Sequence, residues 1–415
     1  MSPRANARRI CLASTILGAV ALAGGCASTP DAGGAGSAAT QAVAFWPPFP
    51  VEPRIQFLKS YRFSSDIEPP PSGLDELIYG KQREVLPINS PYGVAMRNGR
   101  IYVCDGRNQG VIVLDIPGRQ TRLLGTTGLA RMSDPTDVAI AEDGMIYVSD
   151  RTRNAIFVFD ANERHVNSFG FVGFQPTGLD VTDSEIFVAD FGVNMIQVLD
   201  RRTGDVKRSF GGQGNEDGQF VRPLGVGVDP SGNVVVTDVI RCRIQTFSPE
   251  GELLSAFGTT GDGLGNFVRP KHVAVDADGI VYVVDASFAN IQMFDEQNRL
   301  LMYFGASGSH PGSMTLPAGV AINEDSLKYF ENLVHPAFDA RRLVIVTNQW
   351  GANKVSVYAM GQLKPGRTVQ DVATTAVPGD AGLTVEGQEP AIPAMPTPPG
   401  SSPPQEPPDS EDNSH

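Results

Sequence analysis

The chain is poor in the residues from which most enzyme chemistry is built. Of its 415 residues only four are Cys, five are His and two are Trp. No CxxC pair, haem-attachment CxxCH or zinc-ligand spacing occurs, so no cofactor or metal site is expected from the sequence. Lys and Arg total 33 against 46 Asp and Glu, a formal charge of -13, which speaks against nucleic acid as a partner. The apolar run at 10–22 is too short to cross a bilayer, which takes about 20 residues.

What the chain does have is turn-forming residues, 45 Gly and 32 Pro, and a repeat. Pro91, Pro135, Pro176, Pro223, Pro270 and Pro317 each open a short apolar segment, at intervals of 44, 41, 47, 47 and 47 residues. A second segment follows in register: IYVCD at 101–105, IYVSD at 146–150, IFVAD at 186–190, VVVTD at 234–238, VYVVD at 281–285 and VIVTN at 344–348. A third starts at Val111, Ile156, Ile196, Ile244, Ile291 and Val355, and a fourth ends most units on Leu124-Gly125, Phe169-Gly170, Phe210-Gly211, Phe257-Gly258 or Phe304-Gly305. Short β-branched and aromatic runs between Gly-containing turns read as antiparallel strands, and periods in the forties suit propeller blades. The fold class expected is all-β, a six-bladed β-propeller.

The sixth unit lacks its fourth strand, while RIQFLKSY at 54–61 is a strand with no repeat around it. Pairing the two would close the ring and remove an exposed edge. Two short helical insertions are also predicted, at 73–79 behind Ser72 and at 325–334, where Leu327, Phe330, Leu333 and Val334 fall on one face.

Arg4, Arg8 and Arg9 precede the apolar run, which ends in AGGC at 23–26. A positive start, a short apolar core and small residues make a signal peptide, and the AGGC segment resembles the lipobox of bacterial lipoproteins, although Ala23 stands where a larger aliphatic residue is usual. The resemblance implies lipidation of Cys26, a bacterial cell-envelope location, with outer-membrane sorting favoured because Ala27 rather than Asp follows, and a membrane partner held through the anchor; ordinary secretion with cleavage near the same point is the alternative. Residues 1–25 are thus expected to be a signal peptide, 26–44 a flexible tether, 45–363 the propeller and 364–415 a disordered tail. That tail holds 11 Pro and eight carboxylates against Lys364 and Arg367, too little apolar material to offset ordering entropy. Losing three Arg with the signal takes the charge from -13 to -16. Cys104 and Cys242 fall on opposite blades, too far apart for a disulfide.

The unit Pro-x-Gly-Val-Ala followed by Ile-Tyr-Val-x-Asp and Ile-Gln-x-Phe-Asp, fullest at 270–295, resembles the NHL repeat, and the segments at 45–50 and 346–351 resemble those of bacterial NHL-type lipoproteins. WD40 and quinoprotein propellers fit worse, with only Trp46 and Trp350 available. The resemblance implies a binding or scaffold module for an envelope protein or a small-molecule ligand. Related propellers include lyases, lactonases and strictosidine-synthase-like proteins with ligands or bases at the channel mouth, so a lyase or hydrolase is the alternative, and a purely architectural protein a third.

Three groups of residues compete for a role. The row Asp105, Asp150, Asp190, Asp238 and Asp285 ends strands before tight turns, where a carboxylate caps backbone N–H groups, so it is read as structural. His272 stands where other blades have Gly93, Asp137, Gly178, Gly225 and Gly319, and is read as a structural or rim residue ahead of a catalytic one. FVRP at 220–223 and at 267–270 places Arg222 and Arg269 alike on adjacent blades, with Lys271 and His272 beside the second. Guanidinium forks suit carboxylate or phosphate, and Arg222, Arg269, Lys271, His272 and Asp137 form the candidate ligand site. The plainer expectation is that each Arg pairs with a local acid such as Glu216 or Asp217.

Overall fold

Alternation along each strand decides how the sheets pack. In the third strand of blade one, Gly110–Asp115, Val111 and Val113 join one apolar cluster while Ile112 and Leu114 join another. Successive side chains of a strand point to opposite faces, so every sheet is buried on both sides. Six such clusters result, one at each interface between neighbouring blades. The chain is a six-bladed β-propeller.

The structure, a computed structural model, describes residues 44–70 and 85–373. Blade one is Pro91–Arg97, Arg100–Asp105, Gly110–Asp115 and Gln120–Leu124, counted from the axis outward. Blades two to five repeat the order, with innermost strands Pro135–Ile140, Pro176–Val181, Pro223–Val228 and Pro270–Val275. The sixth sheet holds five strands in the order Phe45–Trp46, Ile55–Tyr61, Val355–Leu363, Phe338–Asn348, Pro317–Asn323. The orphan strand therefore supplies the missing fourth strand, with Phe57 opposite Tyr358 and Tyr61 opposite Val355.

We call upper the face on which innermost strands begin and second strands end in Asp. The loops between blades and the turns from second to third strand lie there. Neighbouring blades are stitched by hydroxyls just before those Asp residues. Ser149 Oγ donates to the Thr177 carbonyl at 2.5 Å, Thr237 Oγ1 to the Lys271 carbonyl at 3.4 Å, and Thr347 Oγ1 to the Tyr92 carbonyl across the closing seam.

Beside the axis neighbouring inner strands approach so closely at the glycine positions that a side chain there would clash. A Cβ on Gly93 would lie 2.2 Å from Asp137 Oδ1 and 2.5 Å from its Cα, and one on Gly319 would lie 2.4 Å from the Tyr92 carbonyl. Gly227, lower on its strand, would meet nothing closer than 3.4 Å. Gly93→Ala is therefore expected to cost about 1–3 kcal/mol by overpacking, and Gly227→Ala far less. Urea unfolding of the two variants checks this, and equal midpoints would refute the crowding.

The blade-six insertion differs from the predicted amphipathic helix. It forms two 3-10 turns, Leu327–Tyr329 and Glu331–Leu333. Asp325 accepts the Asn98 N–H and Ser326 Oγ accepts the Gly99 N–H, pinning the start to blade one. A segment this short has little helical stability of its own, so those contacts set its path, and Phe330, Leu327, Leu333 and Val334 still pack on the core.

Order also extends past the expected propeller boundary at 363. Lys364 N–H donates to the Ala337 carbonyl, and the helical turn Val369–Ala373 buries Val372 in the interface of blades six and one. The helix expected at 73–79, Cys26 with its signal and most of the tether, and residues 374–415 lie outside the described residues.

Candidate functional site

The Asp row is consumed by the backbone. Asp105 accepts N–H groups of Asn89, Ser90, Arg107 and Asn108, and Asp285 those of Val268, Arg269, Ser287 and Phe288. Each carboxylate ties its own turn to the loop entering the innermost strand. In blade six Asn348 Oδ1 accepts the Thr315 N–H and its Nδ2 donates to the Asn353 carbonyl, so the amide does the same work without the charge.

Two residues past each inner-strand Pro, the six blades place Gly93, Asp137, Gly178, Gly225, His272 and Gly319. The two that are not Gly stand on blades two and five, opposite each other. His272 Nε2 and Asp137 Oδ2 meet at 3.1 Å across the axis, both buried. Asp137 Oδ2 also accepts the Leu179 N–H at 3.0 Å, and Oδ1 the Val138 N–H at 2.9 Å. His272 Nδ1 faces the Val320 N–H at 3.4 Å, so Nε2 carries the proton given to Asp137. The pair spans blades two, three, five and six.

Burial opposes charging the His272 ring, but the Asp137 carboxylate, its hydrogen bond and Asp180 outweigh it and hold the value above the ordinary one of 6.5. Asp180 lines the same channel, accepts the Val181 and Val228 N–H groups at 2.8 Å, and is pushed up to about 6, chiefly by desolvation. Below the pair the channel widens into about 210 Å³ of free space lined by Asp180, Val226, Val273 and Val320.

These directions fix a pH dependence. A raised histidine contributes stability that is complete below its unfolded value, near 6.5, and is lost as pH rises through the folded value. A raised carboxyl contributes below 3.8 and loses it through about 6. The Asp180 contribution is thus lost as pH rises from 3.8 to about 6 and the His272 contribution as it rises above 6.5, so melting temperature is expected to fall from acid through neutral pH. His335, whose value burial lowers, acts in the opposite sense, so His272→Gln is the discriminating variant. It should flatten the slope, and an unaltered profile would remove His272 from the account.

Above the pair lies Lys271, 3% exposed, with Nζ 2.6 Å from Gln349 Oε1 and 5.5 Å from the centroid of the Tyr92 ring. Desolvation, then the charge of Arg269, lowers its value to about 8. No carboxylate lies within ion-pair distance of its ammonium among the described residues. At the rim Arg222 and Arg269 are exposed, and Arg222 lies 4.7 Å over the Phe191 ring, which Arg151 also approaches at 5.8 Å. The plainer pairing with local acids is not what forms: Asp217 binds Arg243 at 2.7 Å, while Arg222 and Arg269 have no carboxylate partner among the described residues. Cations without counter-charge at a channel mouth can bind carboxylate or phosphate.

The structure brings Asp137 and His272 together on the axis and buries Lys271 near Arg269, while Arg222 and Arg269 stay exposed where the upper loops enter their innermost strands. Sequence reasoning passed over Tyr92, Phe191 and Gln349, whose only signal was their position, one residue beyond an inner-strand Pro or one beyond the strand-ending Asp or Asn. A larger cavity of about 610 Å³ lies between blades two and three on the lower face. Of the two arginines lining it, Arg201 is engaged by Tyr147 Oη, the Asp183 carbonyl and Asp143.

Cys104 and Cys242 are free thiols, both buried, with burial driving Cys104 well above its ordinary value. Among the described residues no three His, Cys, Asp or Glu side chains are grouped to hold a metal ion, and no helix is long and apolar enough to cross a membrane.

No protein-family model matches the chain. Over 53 residues, 13% of this chain, it is 43% identical to Protein wech of Drosophila melanogaster, and that stretch spans 6% of the fly protein. Among solved structures, one of a Bacteroides thetaiotaomicron protein of unknown function superposes with a TM-score of 0.52 at 12% identity, covering 74% of this chain and 75% of that one. Virginiamycin B lyase from Staphylococcus aureus matches at 0.46 and 13% identity, over 65% and 80%. These likenesses concern the propeller fold alone.

Proposed function

We propose that this chain is an NHL-type propeller, anchored in a bacterial cell envelope through Cys26, that binds an anionic ligand at the upper mouth of its channel. The ligand is a small molecule or an acidic segment of an envelope protein bearing carboxylate or phosphate. One observation carries the reading: Arg222 and Arg269, exposed on adjacent blades, and the buried Lys271 near Arg269 have no carboxylate partner among the described residues, in a chain whose formal charge is -13. Both ring nitrogens of His272 are already engaged, which favours binding over a lyase or hydrolase built on the Asp137–His272 pair.

The test is calorimetric titration with inorganic phosphate and a dicarboxylate. Arg222→Ala with Arg269→Ala should weaken binding at least about tenfold, from the loss of charge-assisted bonds, with an unchanged melting temperature. Affinity should also fall as pH rises past about 8, where Lys271 loses its proton, because arginine does not titrate there. Unchanged affinity in the double variant would remove the site. Loss of fatty-acid labelling in Cys26→Ser tests the anchor, and persistent labelling would exclude it.

A further inference from the structure

The upper face carries apolar side chains in an unusual arrangement. Val172 is fully exposed, Leu129 is 87% exposed, Leu264 67%, Trp350 61% and Ile240 53%. They stand on five loops distributed around the ring, between blades one and two, two and three, and four and five, and in the turns of blades four and six. Between them lie Arg107, Arg131, Arg153 and Arg241, none with a carboxylate partner among the described residues. Apart from the five buried strand-ending Asp, whose carboxylates are engaged by backbone N–H groups, the acids described on that face are Asp134, held by Arg151, Asp217, held by Arg243, and Glu216 and Asp262. The lower face differs in carrying ion pairs that cross from blade to blade, Arg122 with Glu163, Arg201 with Asp143 and Arg342 with Asp276.

We infer that the upper face docks on an anionic bilayer, with its loop tips in the interfacial layer and a lipid phosphate at the channel mouth. The inference rests on the reading of that mouth as an anion site. A protein partner buries a contiguous apolar centre inside a polar rim, whereas here isolated apolar tips alternate with arginine, and each would need a separate pocket. A lipid interface accepts each tip independently, and its negative potential attracts the unpaired arginines.

The experiment uses the full chain carrying Trp46→Phe, so that Trp350 is the sole indole, with brominated phosphatidylcholine vesicles made with and without phosphatidylglycerol. Quenching of Trp350 is a local readout, independent of whether the N-terminus is anchored. Quenching and a blue shift are expected with phosphatidylglycerol alone, reversed by salt. Leu129→Ser with Val172→Ser and Leu264→Ser in that chain should raise the phosphatidylglycerol-vesicle concentration needed for half-maximal Trp350 quenching about tenfold or more, since three apolar tips are lost. Trp350→Phe in the otherwise unaltered chain, followed by partitioning, guards against misfolding of the Trp46 variant. Equal quenching on neutral vesicles, or none on anionic ones, overturns the inference. If phosphate then still binds in an Arg222- and Arg269-dependent way, the mouth reading survives and the face serves a soluble anion or a protein. If phosphate does not bind either, both readings fall.

Discussion

A Phe57→Asp chain is expected to lose its closed ring. Phe57 is buried in the cluster between blades five and six, against Tyr358 at a centroid distance of 5.6 Å. Its truncation alone should cost about 3–5 kcal/mol, and a carboxylate with no partner adds a desolvation penalty. Melting should drop by about 10 °C or more. Because Val355–Leu363 would then present an unpaired edge, the variant should also aggregate with concentration. Differential scanning calorimetry and light scattering read both effects, with Phe57→Leu as the control that keeps the closure. A monomeric Phe57→Asp with wild-type melting would show that the strand is dispensable.

The second large effect lies on the axis. His272→Ala leaves the Asp137 carboxylate buried with two backbone N–H donors and no ring opposite, and the loss should be about 3–5 kcal/mol, as when one member of a buried pair is removed. Replacing both residues by Gly copies the other four blades and removes the stranded charge. That double variant should therefore lose clearly less than the sum of the single variants His272→Gly and Asp137→Gly, with a coupling of about 1–3 kcal/mol in a double-mutant cycle. Additive losses would mean that the two side chains stabilise the channel independently.

Much of this architecture was legible because a propeller writes each blade locally. The four apolar segments, the strand-ending Asp and the position of the closing strand all follow from short-range alternation and from what the sixth unit lacks. The axial pair was half legible: His272 and Asp137 interrupt a column of glycines, yet their meeting depends on the ring diameter, which no local pattern encodes. The fates of Asp217 and Arg222 were hidden for a similar reason, since Arg243, from the third strand of the same blade, reaches Asp217 first. The 325–334 insertion misled because its apolar spacing fits a helix as well as two 3-10 turns. Its contacts with Asn98 and Gly99 on blade one, distant in sequence, decide between them.

The pairing of Ile55–Tyr61 with Val355–Leu363 also constrains how the molecule is made. Ile55–Tyr61, among the first propeller residues to leave a ribosome or a translocation pore, must wait for the last strand of the ring, and at about 5–20 residues per second it waits tens of seconds. In that interval five sheets can assemble while Phe57 and Leu58 remain uncovered, and contacts this remote in sequence form slowly. Maturation of this protein should accordingly depend on a holdase that shields its earliest strand until synthesis is nearly complete.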